Sequence, residues 1–542
     1  MKSAKWKPRG WNNDGKINFF VLLLIVVAAV AALIYMLGGG FSKTVHSMFD
    51  SPKNYFAYVE KKTLLGKKEN PLRSAINNTR SIATSSDQAL KEQITLTIGE
   101  HGENYLSMLR GFGIDLTWLK NASVEYVVNS KDMDLSLDTE LTLNDKKILS
   151  SDLVFDSDKK AVYVKIPELS KNVAKYSLEN YEDEIEDVLE RVKDMQKAYP
   201  SSQDMDKLFS KYLKLALKGV ENVERDRGAL LECNGVTQRC TLLRATLKQD
   251  DIKRIITSLC AEAAEDKDLK ELVESYCLAM KMDADKFDQY YDKLVGSMGS
   301  MGDKLEDRDL GFEKITVEIY VDGSGKIVGR IYSLYPVNGE KVSLKMAAAV
   351  KGRNVGYEIS YRSDEENITF AGTGKLKSGR LTGEYDLKVD GNKILTLSVE
   401  KFDLNALNKG FLKGHFTCEL VTDVKELDLS ELPRSTAMLL NKYASVISSL
   451  KPGIDLVIDV GAKKHVIEVG LLTEGEELLR VSCKGTRKSA TAVKIPSKAV
   501  DVTETSERKE YLEDLNWDKL LDSLEGADVP TAYLNLIRKW IK

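Results

Sequence analysis

Few side chains in this sequence are equipped for nucleophilic or metal chemistry. The four histidines are His46, His101, His415 and His465, and none stands in an HExxH or other metal-ligating spacing. His415 and His465 fall in alternating, strand-like stretches, where either could act as a base beside a Ser or Asp, but no GxSxG elbow accompanies them. The cysteines Cys233, Cys240, Cys260, Cys277, Cys418 and Cys483 show neither CxxC nor a Cys/His zinc spacing. The segment from Gly296 to Lys304 misses the GxxxxGK[ST] spacing of a phosphate loop and follows a helical pattern, so it reads as a hinge. The acidic run from Glu179 to Glu190 lacks the alternating oxygens and central glycine of an EF-hand and reads as the solvated face of a helix. No residue is therefore assigned a catalytic, cofactor-binding or metal-binding role, and no cofactor is expected.

The elements around these residues are more informative. Ile17 to Gly40 carries no charge and is almost wholly apolar up to Leu37, long enough to cross a hydrocarbon layer of roughly 30 Å as a helix. Lys2, Lys5, Lys7, Arg9 and Lys16 precede it against Asp14 alone, so the positive-inside bias keeps the N terminus cytoplasmic and sends the remainder outside. Its length and its Ile-Tyr-Met-Leu end favour an uncleaved anchor over a signal peptide. Lys plus Arg number 79 and Asp plus Glu 83, and without the five bases and one acid of the first 40 residues the exported part holds 74 bases and 82 acids, a net of -8. That balance excludes a nucleic-acid binder relying on a basic field.

All six cysteines follow the span, an even number in a disulfide-permissive compartment. Leu-Leu-Glu-Cys233 and Cys240-Thr-Leu-Leu read as two strands facing each other across a six-residue loop, which makes Cys233–Cys240 the expected bridge. Cys260 and Cys277, at the apolar edges of successive helices, either pair or stay buried as thiols, and Cys418–Cys483 is what remains.

Hydrophobic periodicity then divides the chain. Met133, Leu135, Leu137, Leu141 and Leu143 alternate with polar residues, as do Ile315, Val317, Ile319 and Val321, whereas Leu178 to Met195, the stretch around Met205 to Leu213, and 250–264, 267–280 and 283–299 are helical in period. A further helix is expected over 435–450. The class is α+β: an N-terminal transmembrane helix, then two modules of long antiparallel β-meander with helices packed on one face. The expected boundaries are a cytoplasmic basic tail (1–16), the transmembrane helix (17–40), a juxtamembrane helix and connecting segment (41–122), a first sheet-plus-helix module (123–300), a linker (301–312), and a second module with C-terminal helices (313–542). The strings AVYVKIPELS (161–170) and ATAVKIPSKA (490–499) echo each other in two strand-then-helix contexts and favour a duplicated architecture.

The opening SPKNYFAYVEKK, the VYVKIPELS strand end and the VP-containing helical tail resemble single-pass surface proteins of Gram-positive clostridia, a likeness that carries no motif of known chemistry. The exported meander with helices on one face resembles in architecture the LolA/LppX-type lipoprotein carriers, which hold acyl chains between sheet and helices. It departs from them in having a membrane span in place of a lipobox cysteine and in being twice as long. The expected function is accordingly a non-enzymatic, cell-membrane-anchored extracellular protein binding a lipophilic ligand or a cell-envelope partner. The alternatives are a surface hydrolase with its site in the second module, holding His415 or His465, and a structural envelope component.

Overall fold

The computed structural model describes residues 17–18, 50–65, 88–110, 115–181, 202–279, 284–300, 304–305, 308–364, 366–421, 427–428 and 451–541. The expected membrane span, apart from Ile17–Asn18, the part of the expected Leu178–Met195 helix that follows Tyr181, and the helix expected over 435–450 lie outside the described residues; Glu179–Tyr181 itself forms a single 3-10 turn. Among those described, no helix is long and apolar enough to cross a membrane. The protein is α+β, its strands joined almost throughout in antiparallel pairs.

Contacts group the chain into two units, one of Met1–Thr79, Glu190–Gly410 and Cys418–Lys451, the other of Arg80–Leu189, Phe411–Thr417 and Pro452–Lys542. This grouping differs from the consecutive modules expected from periodicity. The reason lies in strand Gln88–Ile98, which pairs with Glu476–Ser489 on one side and Asn121–Lys131 on the other and so joins two distant parts of the sequence in one sheet. The two echoing strings also share a unit: Val493 and Ile495 pack against Val154, Ala161 and Tyr163.

In the first unit, nine strands from Asn222–Cys233 to Asn392–Asp403 form an antiparallel meander in sequence order. Alternation decides what each face buries. Leu243, Ala245 and Leu247 pair with Ile319, Val317 and Ile315, and on this face they meet Tyr55, Phe56 and Val59 of helix Pro52–Leu65, Leu217 of helix Ser202–Lys218, and Ile252 and Ile255 of helix Gln249–Glu265. The opposite face coils on itself: Leu231, Cys233, Val236, Cys240, Val328 and Ala347 form one cluster. Gly356 belongs to this close approach, since a Cβ there would stand 1.9 Å from the carbonyl oxygen of Cys233.

That local geometry corrects the expected Cys233–Cys240 bridge. The hairpin closes through two residues, not six: Asn234 and Gly235 both take positive φ, 47° and 76°, the conformation of a type I′ turn. Cys233 therefore faces Val236, while Cys240 faces Ala229 beyond a bulge at Gly228. All six cysteines, Cys260, Cys277, Cys418 and Cys483 included, are free thiols in this structure.

In the second unit the strand order is Pro452–Val460, Lys464–Thr473, Glu476–Ser489, Gln88–Ile98, Asn121–Lys131, Asp134–Leu143, Lys146–Asp156, Ala161–Lys165 and Ala174–Ser177, with Val500–Asp501 added in parallel. Helices Trp517–Gly526 and Thr531–Ile541 enclose Leu521, Val529 and Leu534 against Trp118 and Leu143. The tyrosine hydroxyl of Tyr533 donates to the carbonyl of Asp115 at 3.0 Å and fixes the last helix.

Candidate ligand site

Between the first unit's sheet and its helices lies a cavity of about 520 Å³. Its walls follow from helical spacing. Phe56, Glu60 and Leu64 recur every four residues and share one stripe of helix Pro52–Leu65; Ala216 and Leu217, three and four residues after Leu213, share a face with it on helix Ser202–Lys218. Strand residues Val317, Arg330, Tyr332 and Met346 form the floor. In the cross-strand row Leu243, Ile319, Arg330 and Met346, one cation stands where the pattern calls for an apolar residue.

Arg330 is held by Glu60. Its two terminal nitrogens meet the two carboxylate oxygens at 2.5 and 2.8 Å, and both side chains are at least nine-tenths buried. A bidentate guanidinium–carboxylate pair is the arrangement that satisfies such a buried charge. The cavity is thus an apolar space with one neutralised ion pair in its wall, of the size at which small-molecule sites occur.

The histidines divide by environment. His46 lies outside the described residues, and His101 is exposed on helix Glu100–Leu109. In the second unit His415 Nε2 lies 2.5 Å from Asp455 Oδ1, which also accepts from Thr417 Oγ1 at 3.1 Å, while Arg480 donates to Asp455 Oδ2 at 2.9 Å. Burial alone would raise the Asp455 pKa, but these donors outweigh it and hold the carboxyl below its usual range. The carboxylate is saturated by a structural knot.

His465 belongs to a second cluster. Its Nε2 lies 3.0 Å from Glu92 Oε1, the same oxygen that accepts from Cys483 Sγ at 2.7 Å, and Cys483 Sγ is 3.9 Å from that same Nε2. The Tyr126 hydroxyl donates to Glu92 Oε2. Burial pushes the Glu92 carboxyl up, yet hydrogen bonds from Cys483, Tyr126 and His465 bring it down to about 2. The bond to Glu92 and burial raise Tyr126 to about 12, and burial together with Glu92 raises the Cys483 thiol to about 11. A charge relay needs the nucleophile on one imidazole nitrogen and the orienting carboxylate on the other. Here both meet one nitrogen, and the thiol is held protonated, the reverse of an activated nucleophile.

Sequence reasoning singled out His415, His465 and Cys483 but not their partners Asp455, Glu92, Tyr126 and Arg480, nor Glu60 and Arg330. Glu92 left a legible signal: it interrupts Leu90, Ile94, Leu96 and Ile98 at the apolar phase of a strand. No protein family matches the chain, and no curated protein is significantly similar to it.

Proposed function

We propose that the protein is a non-enzymatic, membrane-tethered extracellular protein that holds a lipophilic molecule in the cavity of its first unit. The observation that carries this reading is the cavity itself. It is an open cleft whose walls are almost wholly apolar, and clefts of this size with few polar groups are the usual form of small-molecule sites. Because Arg330 is already held bidentately by Glu60, an anionic head would have to break a buried pair, so the reading favours an uncharged acyl-type ligand. The tether and the outward orientation rest on the apolar 17–40 segment and the basic residues before it. The exposed face of Leu512, Leu536 and Trp540 on the C-terminal helices favours, as a second reading, contact with a cell-envelope partner.

Native mass spectrometry of the full-length protein, followed by solvent extraction, tests the first reading. Wild type should carry one lipophilic molecule, and Ala216→Trp, which fills the cavity, should lose it while keeping its far-ultraviolet circular dichroism. A wild-type protein that releases no such molecule, or a variant that retains it equally, refutes the proposal. Labelling of intact cells from outside must reach the C-terminal portion if the tether is as described.

A further inference from the structure

We infer that Glu92, His465 and Cys483 form a zinc-type metal site with three protein ligands and an open fourth position. This inference goes beyond the lipid reading and is independent of it, resting on residues of the second unit alone. The three donor atoms come from three adjacent strands of one sheet, Gln88–Ile98, Lys464–Thr473 and Glu476–Ser489, and lie within 4.8 Å of one another. Their sequence separations hide them from any motif, because the sheet and not a local loop assembles them.

The donor set and geometry suit zinc. Thiolate, imidazole and carboxylate are its three ligand types, and three protein ligands plus an exchangeable position is the pattern of non-structural zinc sites. Zinc bond lengths at tetrahedral angles place nitrogen and oxygen about 3.3 Å apart, sulfur and oxygen about 3.5 Å, and sulfur and nitrogen about 3.6 Å. The separations here are 3.0, 2.7 and 3.9 Å. The largest adjustment is an opening of Cys483 from Glu92 by under about 1 Å, within the reach of side-chain torsions. On binding, the Cys483 thiol proton leaves for solvent, and thiolate, carboxylate and neutral imidazole together balance the ion's two charges. Tyr126, bonded to the other oxygen of Glu92, orients that ligand as an outer-sphere partner.

Two further observations point the same way. Gly485 occupies a strand interior, where glycine is unfavourable, and a Cβ there would lie 2.1 Å from the His465 ring. The imidazole reaches Glu92 only because it lies across that glycine. The surrounding face is apolar and open: Ile94, Val124, Val469 and Val481 remain 38–42% exposed, so an ion has access and the polar group is not simply sealed in a core.

The test is a titration of the full-length protein, stripped with EDTA and kept reduced, with Zn²⁺ and with Co²⁺ as a spectroscopic probe. Wild type should bind one ion per chain and show a thiolate-to-cobalt charge-transfer band. Cys483→Ser should abolish the band and weaken binding at least about 100-fold, while Tyr126→Phe should weaken it about 10-fold or more and keep the band. Tryptophan fluorescence and circular dichroism check that each variant is folded; Zn²⁺ should raise the melting temperature of wild type and not of Cys483→Ser, a readout that holds should Glu92→Gln or His465→Ala fold poorly. Absence of a thiolate band in wild type, or equal zinc affinity in wild type and Cys483→Ser, overturns the assignment.

Discussion

Gly485→Ala isolates the contact that shapes the Glu92 cluster. An alanine Cβ at 485 would stand 2.1 Å from Cε1 and 2.4 Å from Nε2 of His465, more than 1 Å inside the roughly 3.5 Å at which carbon atoms touch. Backbone on both sides is pinned, since Gly485 pairs with His465 on one neighbour and Glu92 on the other, so the ring must leave. Its bond to a charged partner is worth about 1.5–3 kcal/mol, against which alanine in a strand interior regains about 0.5–1 kcal/mol. The net loss should be about 1–2 kcal/mol in metal-free buffer, a 5- to 30-fold fall in the folded-to-unfolded ratio. In a His465→Ala background the clash is gone and only the gain remains, so the same substitution should stabilise by about 0.5–1 kcal/mol and the coupling should be about 1.5–3 kcal/mol. Urea unfolding followed by tryptophan fluorescence reports on this unit: beyond residue 50 the only tryptophans are Trp118, Trp517 and Trp540, all within it. If Gly485→Ala costs the same with and without the histidine, the ring does not depend on the glycine and the reasoning fails.

Other expectations follow from the same geometry. Glu60→Leu should destabilise the first unit by about 3–5 kcal/mol because it strands the buried Arg330 charge, whereas Glu60→Leu with Arg330→Met should recover most of the loss; hydrogen exchange in helix Pro52–Leu65 measures both. The Glu92 carboxyl titrates near 2 when folded and near 4.5 when free, so its contribution is complete above about pH 4.5 and is lost as pH falls toward 2. Urea midpoints read by tryptophan fluorescence should therefore fall more steeply below pH 4.5 in wild type than in Glu92→Gln. Burial pushes the thiols of Cys233 and Cys240 up to about 11 and about 12, so alkylation at pH 8 should spare both in the native protein and modify both after denaturation without reductant. A bridged pair would resist in both states.

Local order was largely legible in the sequence. The helices expected over 250–264, 267–280 and 283–299 form as Gln249–Glu265, Lys267–Ala279 and Ala284–Gly299, because their apolar residues recur at helical spacing. Asn144 and Asp145 make the turn between Asp134–Leu143 and Lys146–Asp156 with φ of 48° and 62°, a conformation that Asn and Asp take more readily than most residues. Strand Gln88–Ile98 escapes periodicity, since Glu92 interrupts its alternation, and with it the pairing that brings 452–489 beside 121–131. Periodicity locates the Cys233 hairpin but not its register: two cysteines near a turn suggest a bridge only when the loop length is known, and Asn234-Gly235 is itself the complete turn. The polar clusters were invisible for a related reason, as their members sit on neighbouring strands whose order periodicity does not encode.

One sequence feature accompanies them, although it points to them only once the strand order is known. Gly470 and Gly485 each lie inside a strand, and each is crossed by a long polar side chain joining the strands on either side: Arg480 passes Gly470 to reach Asp455, and His465 passes Gly485 to reach Glu92. Two strand spacings are about 9.5 Å, a gap that opposed side chains bridge only where the middle strand presents no Cβ. The two crossings should nevertheless differ in sensitivity. At Gly470 a Cβ would meet Arg480 Nη2 at 3.2 Å, which the flexible guanidinium relieves by shifting, and Asp455 Cβ at 3.3 Å, which the strands relieve by giving a few tenths of an ångström. Gly470→Ala should then be within about 0.5 kcal/mol of wild type, since the slight crowding roughly offsets the strand-interior gain. Gly485→Ala confronts a stiff ring at 2.1 Å and cannot be relieved in that way. Unfolding midpoints that rank the two variants equally would mean that these glycines are tolerated for reasons other than the side chains lying over them.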